Sequence, residues 1–431
     1  MSAKTMSEKI LSAKSGQDAH AGDVVVCRVD CALGTDGSTP MALDYFEAMG
    51  AKGVHDPQRI VLALDHYAPA PSRATGLLHQ RMRAFAALHG ILLWDVGEGI
   101  GHQLIVESGR AWPGGLTVGG DSHAVTYGAL NTFATGIGSS DLAAILACGK
   151  MWLRVPESIR VSLVGRLPKG VYPKDAALAL AGELGADGAI YQALEFSGRG
   201  VAALDLEDRL VLSNFAVEMG AKNAIFPADD RTREYLAQRA SSSSGTAAAA
   251  SQAAEPDPGA SYAREITLDL DSLDPQLALP HEVDHVVQIR GKAEAALGTP
   301  VQMVYLGTCT GGRVRDFHQA LAVLKAGGGV AAGVQLVVTP ASRAVLETLS
   351  RDGTLAEFIS MGAIIGTPGC GSCCGTCGAI PGDGVNVIST ANRNFKGRMG
   401  NSNSAIYLAS PASCAAAAVA GVITDPREVL P

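Results

Sequence analysis

The chain has 431 residues, enough for roughly two to four domains with sizeable cores. Apolar residues make up 47%, charged residues 18% and aromatics 5%, with 51 glycines, the profile of a globular α/β protein with tight turns. A formal net charge of −8 argues against a nucleic-acid binder, no run is apolar for long enough to cross a membrane, and the N-terminus lacks a signal-peptide core. The cysteines number nine, an odd count that fits a reducing compartment better than a disulfide scaffold, so a cytoplasmic protein is expected.

In chain order, short apolar runs alternate with helical periodicity. RIVLALD (59–65) reads as a buried strand, followed by a Pro-containing turn and a helix through RMRAFAALHG. LTVGG is a further strand, running into Asp121. VPESIRVSLVGRLPKGVYPKD (155–175) is a Pro/Gly-rich change of register that marks a boundary near residue 160. YQALEFSGRG closes another apolar run on a glycine turn. SSSSGTAAAASQAAEPDPGA (241–260) is low-complexity and predicts an exposed, mobile loop that no packed core uses. LDSLDPQLALPHEVDHV (270–286) is a second Pro-rich crossing, near residue 285. VQMVYLG (301–307) and GVQLVV (333–338) predict strands, and RVRDFHQALAVLKAGG between them predicts a helix with a glycine stop. Thr339-Pro340 then reads as N-cap and first turn of the helix ASRAVLETLS. The expected organisation is three segments of parallel α/β type, 1–160, 161–285 and 286–431, with helices on both faces of the sheets and no internal repeat.

GTPGCGSCCGTCGAIPGDG (366–384) crowds Cys370, Cys373, Cys374 and Cys377 into one glycine-rich loop. Cys370-x-x-Cys373 alone suits zinc, a redox pair or an iron–sulfur cluster. A zinc ribbon needs another such pair roughly 15–20 residues away, which is missing, and a thioredoxin-type motif would open a helix after the first strand of its fold. Cys309, in LGTCTGG, stands where a strand ends and a helix begins, the place where open α/β sheets put ligands. A thiol there, added to the pair, makes three, one fewer than ferredoxin-type clusters use, and leaves one iron able to act as a Lewis acid. ANRNFKGR (391–398) places Arg393 and Arg398 around a glycine, with Asn392 and Asn394 beside the first; two guanidiniums in a polar turn suit carboxylates. Asp65-His66 and Asp121-Ser122-His123 each close a predicted strand, and His102 stands in GEGIGHQLIVESG. A carboxylate paired with an imidazole at a sheet edge can orient it or raise its pKa into the working range. Glu195 ends the run YQALEF; a surface carboxylate is its default reading.

Taken in order, DH, GHQ…E, GDSH, CT-G-GR, PGCGSC and NRNFKGR resemble the aconitase family, and within it the two-subunit dehydratases of substituted malates, from about residue 7 to the C-terminus. The resemblance implies an α/β fold of three α/β/α domains of the aconitase large-subunit type around a cluster-binding cleft. It implies a 4Fe–4S cluster on Cys309, Cys370 and Cys373, and carboxylate binding by Arg393 and Arg398 with Asn392 adjacent. Asp65, His66, His102, Asp121, Ser122, His123 and Glu195 match positions that hold substrate or move the proton of its leaving hydroxyl. The implied activity is that of a hydro-lyase or isomerase of a small hydroxy di- or tricarboxylic acid, a malate, citrate or homocitrate derivative. Nothing after NRNFKGR resembles the serine loop of the family's swivelling fourth domain, so that domain is expected on a small-subunit partner. Thr35, counted among the substrate contacts, stands where these proteins usually carry His or Gln, Gly311 where they usually carry Asn, and Cys374 and Cys377 where cysteine is unusual. The two extra thiols could close the open iron, bind another metal or be bystanders; adjacent side chains at 373 and 374 rarely point at one metal, which favours the last. The reading from a different class is a non-catalytic metal- or cluster-binding regulator.

Overall fold

The computed structural model describes residues 3–239, 253–289 and 296–430. Its architecture is mixed α/β, with two large sheets whose strand-end loops line one cavity. The strands Cys31–Thr35, Ile60–Ala63, Leu92–Trp94, Leu116–Gly119 and Phe133–Gly136 form one parallel sheet, in the order 92–94, 60–63, 31–35, 116–119, 133–136. The runs 31–35, 60–63 and 116–119 are buried throughout and do not alternate, as expected of parallel strands covered on both faces. The strand order reverses between 31–35 and 116–119, which opens a crevice above their C-terminal ends.

A second parallel sheet takes Asn223–Ile225, Ala193–Ser197, Ser158–Val164 and Arg264–Asp269 in that order. The third has seven strands, ordered 286–288, 276–278, 405–408, 386–389, 303–306, 335–338, 364–365. Its last five run parallel and the first two antiparallel, and it reverses order between 303–306 and 386–389. The strand Gln276–Ala278 thus pairs into the third sheet although it precedes the Pro-rich crossing at 285. An antiparallel ribbon, Val24–Arg28 with Lys150–Arg154, flanks the first sheet. One continuous core runs from Leu33 and Val61 through Ile159 and Phe215 to Tyr305 and Val387, so all three sheets share apolar packing.

One expectation is corrected. The helix after Val338 spans Arg343–Arg351 and is capped by Ser342, whose side chain accepts from Val345 N, not by Thr339. Residues 339–342 stay extended because the segment carrying Gly99 and Ile100 docks on them: Ile100 N donates to Ala341 O at 2.8 Å, and Gly99 forms a bridge with Ser342. The predicted loop 241–260 lies outside the described residues up to 252. Beyond that, residues 253, 255, 258 and 259 are exposed while Ala254 is anchored: it is 6% exposed, and its backbone N donates to Asn131 Oδ1 at 2.8 Å while its carbonyl accepts from Asn131 Nδ2 at 3.0 Å. A polar side chain there satisfies the backbone of an otherwise featureless stretch and lets it join a core.

Candidate active site

His66, His102, Asp121, His123, Thr308, Cys309, Cys370, Cys373, Cys374, Asn392 and Arg398 line one cavity. Its lining residues follow the C-terminal ends of six strands, three in the first sheet and three in the third, around both reversals of strand order.

The first wall is an imidazole–carboxylate network. Asp65, just past the strand 60–63, is fully buried; one oxygen accepts from His66 Nδ1 at 2.7 Å and the other from Gly101 N at 2.7 Å. His66 Nε2 then faces Asp121 Oδ2 at 3.4 Å. His102 Nε2 donates to Asp121 Oδ1 at 2.8 Å, while its Nδ1 meets the Tyr127 hydroxyl at 2.8 Å. His123 N donates to the same Asp121 oxygen at 2.8 Å, and its ring Nε2 donates to Glu218 Oε1 at 2.9 Å. Burial alone would raise Asp121, but three surrounding histidines hold its carboxyl well below the usual range. Burial likewise opposes charge on His66, yet the neighbouring Cys370, Asp65 and Asp121 outweigh it and hold His66 well above its ordinary value. His123 is pushed up to about 10, because Cys309, Asp121 and Glu218 together overcome its burial.

The second wall carries thiols and guanidiniums. Thr308, at φ 74°, ends the strand 303–306 in a left-handed turn and starts the short helix that bears Cys309. Gly371, at φ 56°, turns the loop between Cys370 and Cys373, where a Cβ would meet the Tyr305 hydroxyl at 2.5 Å. That hydroxyl donates to Cys370 O at 3.0 Å, and Cys370 N donates to Asp65 O at 2.9 Å, so the cysteine loop is tied to both sheets. Cys309 and Cys370 pack around Ile100 and Ala341. Arg398 Nη2 lies 3.7 Å from Cys373 Sγ, and although burial raises that thiol, the guanidinium brings it below the ordinary value. Burial pushes Cys370 well up.

Behind Cys309 sits a buried cation. Lys174, 2% exposed, donates to Asn392 Oδ1 at 2.9 Å, Ala391 O at 2.8 Å and Thr310 Oγ1 at 3.2 Å. Asn392 Nδ2, thereby oriented, points at Cys309 Sγ at 3.3 Å and at Asn214 Oδ1 at 3.0 Å. Burial brings Lys174 down to about 8. Arg393 does not line the cavity directly: Nε donates to Glu218 Oε2 at 2.9 Å and Nη2 to Ser122 Oγ at 2.8 Å. Burial would raise Glu218, but His123 and Arg393 keep it below the usual carboxylate range.

The structure therefore brings together Asp65, His66, His102, Asp121, Ser122, His123, Cys309, Cys370, Cys373, Asn392, Arg393 and Arg398. Two expected members stand apart. Glu195 lies in the middle of the strand 193–197, 1% exposed, and its carboxylate accepts from Met6 N at 3.0 Å, Ser7 N at 2.9 Å and Ser158 Oγ at 3.0 Å. It anchors the first turn of the helix Met6–Ser15, where a helix leaves its backbone N–H groups unsatisfied. Thr35 is also buried and off the cavity, its Oγ1 paired with Ser38 Oγ at 3.2 Å. Asp36 beside it reaches the site, accepting from His66 N at 2.9 Å and Tyr67 N at 3.0 Å. Sequence reasoning missed Asp36, Tyr127, Lys174, Asn214 and Glu218. The one signal for Glu218 was a carboxylate before a glycine in NFAVEMG, and Lys174 stood in a stretch that read only as a boundary. Gly311 is explained by its neighbour: a Cβ there would lie 2.4 Å from Thr390 Cβ, and Thr390 Oγ1 fills the place, accepting from Gly307 N at 3.0 Å.

The model of the aconitase family (aconitate hydratase) matches residues 8–421. The chain is 46% identical to 3-isopropylmalate dehydratase large subunit 1 of Methanopyrus kandleri, over 99% of this chain and 100% of the relative. It is 46% identical to 3-isopropylmalate dehydratase large subunit 2 of Archaeoglobus fulgidus, again over 99% and 100%. It is 42% identical to the homoaconitase large subunit of Thermus thermophilus, over 99% of this chain and 98% of that one. With its motif residues gathered at one cavity and similarity along nearly its whole length, the chain belongs to the aconitase family.

Proposed function

We propose that the chain is the cluster-bearing large subunit of a dehydratase that removes water from, and returns it to, a hydroxy di- or tricarboxylic acid, with 3-isopropylmalate the first candidate. The observation that carries this reading is the meeting of three separated thiols, three imidazoles and Arg398 at one cavity. The donor set fits a 4Fe–4S cluster held by Cys309, Cys370 and Cys373: soft thiols on one wall, a guanidinium that favours the Cys373 thiolate, and an amide aimed at Cys309. Bound there with one iron free of protein ligands, such a cluster supplies a Lewis acid for the substrate's hydroxyl and carboxylate.

The chain's own residues do the rest. Asp65 fixes the ring of His66, and Asp121 fixes that of His102 and the backbone of His123, so the imidazoles stand in set orientations at the cavity where a leaving hydroxyl would take its proton. Arg398 offers a planar fork to a substrate carboxylate, and Arg393, held by Glu218 and Ser122, braces the imidazole wall opposite. The base that removes the proton α to the carboxylate is assigned to a small subunit carrying the swivelling domain, in keeping with the large-subunit names of the relatives. The three segments 1–160, 161–285 and 286–431 serve as the walls onto which that domain closes. The odd number of cysteines, all of them free among the described residues, supports a cytoplasmic setting, and no described helix is long and apolar enough to cross a membrane.

A second reading within the family is homoaconitase, favoured by the 42% identity to the Thermus thermophilus large subunit. Anaerobic reconstitution of the chain with iron, sulfide and a small subunit, followed by a panel of substituted malates and citrates, tests both. Ultraviolet absorbance of the unsaturated acid is expected with 3-isopropylmalate; a strong preference for homocitrate selects the second reading. Turnover by the isolated large chain would refute the division of the site between two subunits.

A further inference from the structure

The dehydratase site leaves two thiols without a role. Cys374-Gly375-Thr376-Cys377 is a second Cys-x-x-Cys, directly following the first. Cys374 Sγ lies 3.5 Å from the carbonyl oxygen of His66 and 3.7 Å from that of Gly371. Cys377 Sγ lies 3.4 Å and 3.7 Å from the same two oxygens, and 3.7 Å from Ala68 O. Two sulfurs that share two acceptors are held on one small patch of backbone. Gly375, at φ 67°, makes the turn that brings the chain back, and Thr376 Oγ1 sits 2.8 Å from Cys374 Sγ while donating to His66 O at 2.7 Å. The pair is asymmetric: Cys374 is half-buried and lines the cavity, whereas Cys377 is 6% exposed and lies behind it. An accessible thiol with a second thiol in its shelter is the arrangement in which one sulfur takes an adduct and the other resolves it.

We propose that Cys374 and Cys377 form an oxidisable dithiol that closes to an intramolecular disulfide by exchange with a low-molecular-weight disulfide. Cys374 releases its proton and its thiolate attacks one sulfur of the small disulfide. The S–S bond of the reagent breaks, and the first small thiolate leaves. Cys377, deprotonated in turn, attacks Cys374 Sγ and expels the second. The two protein thiols give up two electrons, the small disulfide is reduced to two thiols, and those thiols take up the two protons. Closure has a local consequence. As thiols, both sulfurs reach carbonyls of 66–68 and tie the cysteine loop to the strand end that carries Asp65-His66. A disulfide has no proton to donate, so those ties are lost and Thr376 Oγ1 remains as the side-chain donor to His66 O.

The test uses the full chain, as purified and after anaerobic cluster loading, treated with glutathione disulfide, then with maleimide, and mapped by peptide mass. In both forms the expected result is the loss of two maleimide-reactive thiols, at 374 and 377, in a peptide lighter by two hydrogens and restored by dithiothreitol, with the visible absorbance of the loaded form retained. Cys377→Ser should stop at one glutathione adduct on Cys374, and Cys374→Ser should leave Cys377 unmodified. Linkage through Cys370 or Cys373, or full maleimide labelling of both residues after oxidation, overturns the proposal. So does protection of Cys374 by the cluster alone, which would make it a ligand. Failure to load a cluster speaks against the dehydratase reading and leaves the dithiol test intact in the chain as purified.

Discussion

The two walls of the cavity are both loops at the C-terminal ends of parallel strands, yet they are finished differently. On the first wall, His66, His102 and His123 each have a ring nitrogen within 2.9 Å of a carboxylate oxygen, and those carboxylates are themselves held by backbone N–H groups or an arginine. On the second, the contacts to Cys309 and Cys373 are 3.3 and 3.7 Å long, and Arg398 Nε and Ser372 Oγ are buried without a partner among the described residues. Native proteins rarely leave buried donors unused, because each costs about 1–3 kcal/mol. The difference teaches that the imidazole wall is complete in the chain itself, whereas the thiol wall keeps bonding capacity for a ligand.

That contrast can be broken most severely at Asp121. Asp121→Asn removes the charge that organises three histidines, and kcat with the small subunit present is expected to fall about 10²–10⁴-fold. Cluster absorbance should persist, because the thiol wall is built separately. Equal loss of cluster and activity would show the walls to be one unit.

Arg398→Lys keeps the charge and loses the fork. Charge-assisted hydrogen bonds are worth about 1.5–3 kcal/mol, so KM should rise roughly 10- to 100-fold with the melting temperature little changed. Arg393→Lys sharpens the contrast, since its guanidinium is already bound to Glu218 and Ser122: turnover and melting temperature should fall together. Steady-state kinetics beside thermal melts separate the two cases.

Lys174→Met tests the support behind the thiol wall. It strips Asn392 Oδ1 and Ala391 O of a donor, for an expected stability loss of about 1–3 kcal/mol in denaturant titrations. With Asn392 free to turn away from Cys309, the visible absorbance of a loaded cluster should bleach faster in air than in wild type.

The smallest effect lies next to it in sequence and away from both walls. Burial pushes Asp175 up to about 7, although Gln276 N and Tyr172 N donate to it. A carboxyl raised on folding favours the folded state when protonated, so this contribution is present at low pH and is lost as pH rises from about 4 through about 7. The melting temperature of wild type minus that of Asp175→Asn should therefore decline across that window. A difference independent of pH would mean that Asp175 is charged throughout.

Much of this was legible in the residues. The strands at 60–63, 303–306 and 335–338 fall inside the apolar runs that predicted them, because a buried parallel strand needs an unbroken apolar stretch whatever it packs on. Asp65-His66, Asp121-Ser122-His123 and Cys309 were found because a polar group just past such a stretch stands at a sheet edge, and Asn392-Arg393 because two arginines share a polar, glycine-containing turn. The cap at Ser342 was misread as Thr339: a Thr-Pro pair is a good helix start in isolation, and only the docking of Gly99 and Ile100 keeps it extended.

The sequence by itself determined the family, the α/β character and the three thiols with their order in the chain, because these rest on short-range patterns of apolar spacing and motif. Only the tertiary structure decided which charges meet. His123 finds Glu218 across 95 residues, and Lys174 finds Asn392 across 218, pairings that depend on how the second sheet and its helices pack into the core shared with the other two. Glu195 marks the limit from the other side. A carboxylate within a buried strand looks the same in sequence whether it faces a cavity or caps a helix, and the electrostatic need of the Met6–Ser15 helix, 188 residues away at Ser7, settled its role.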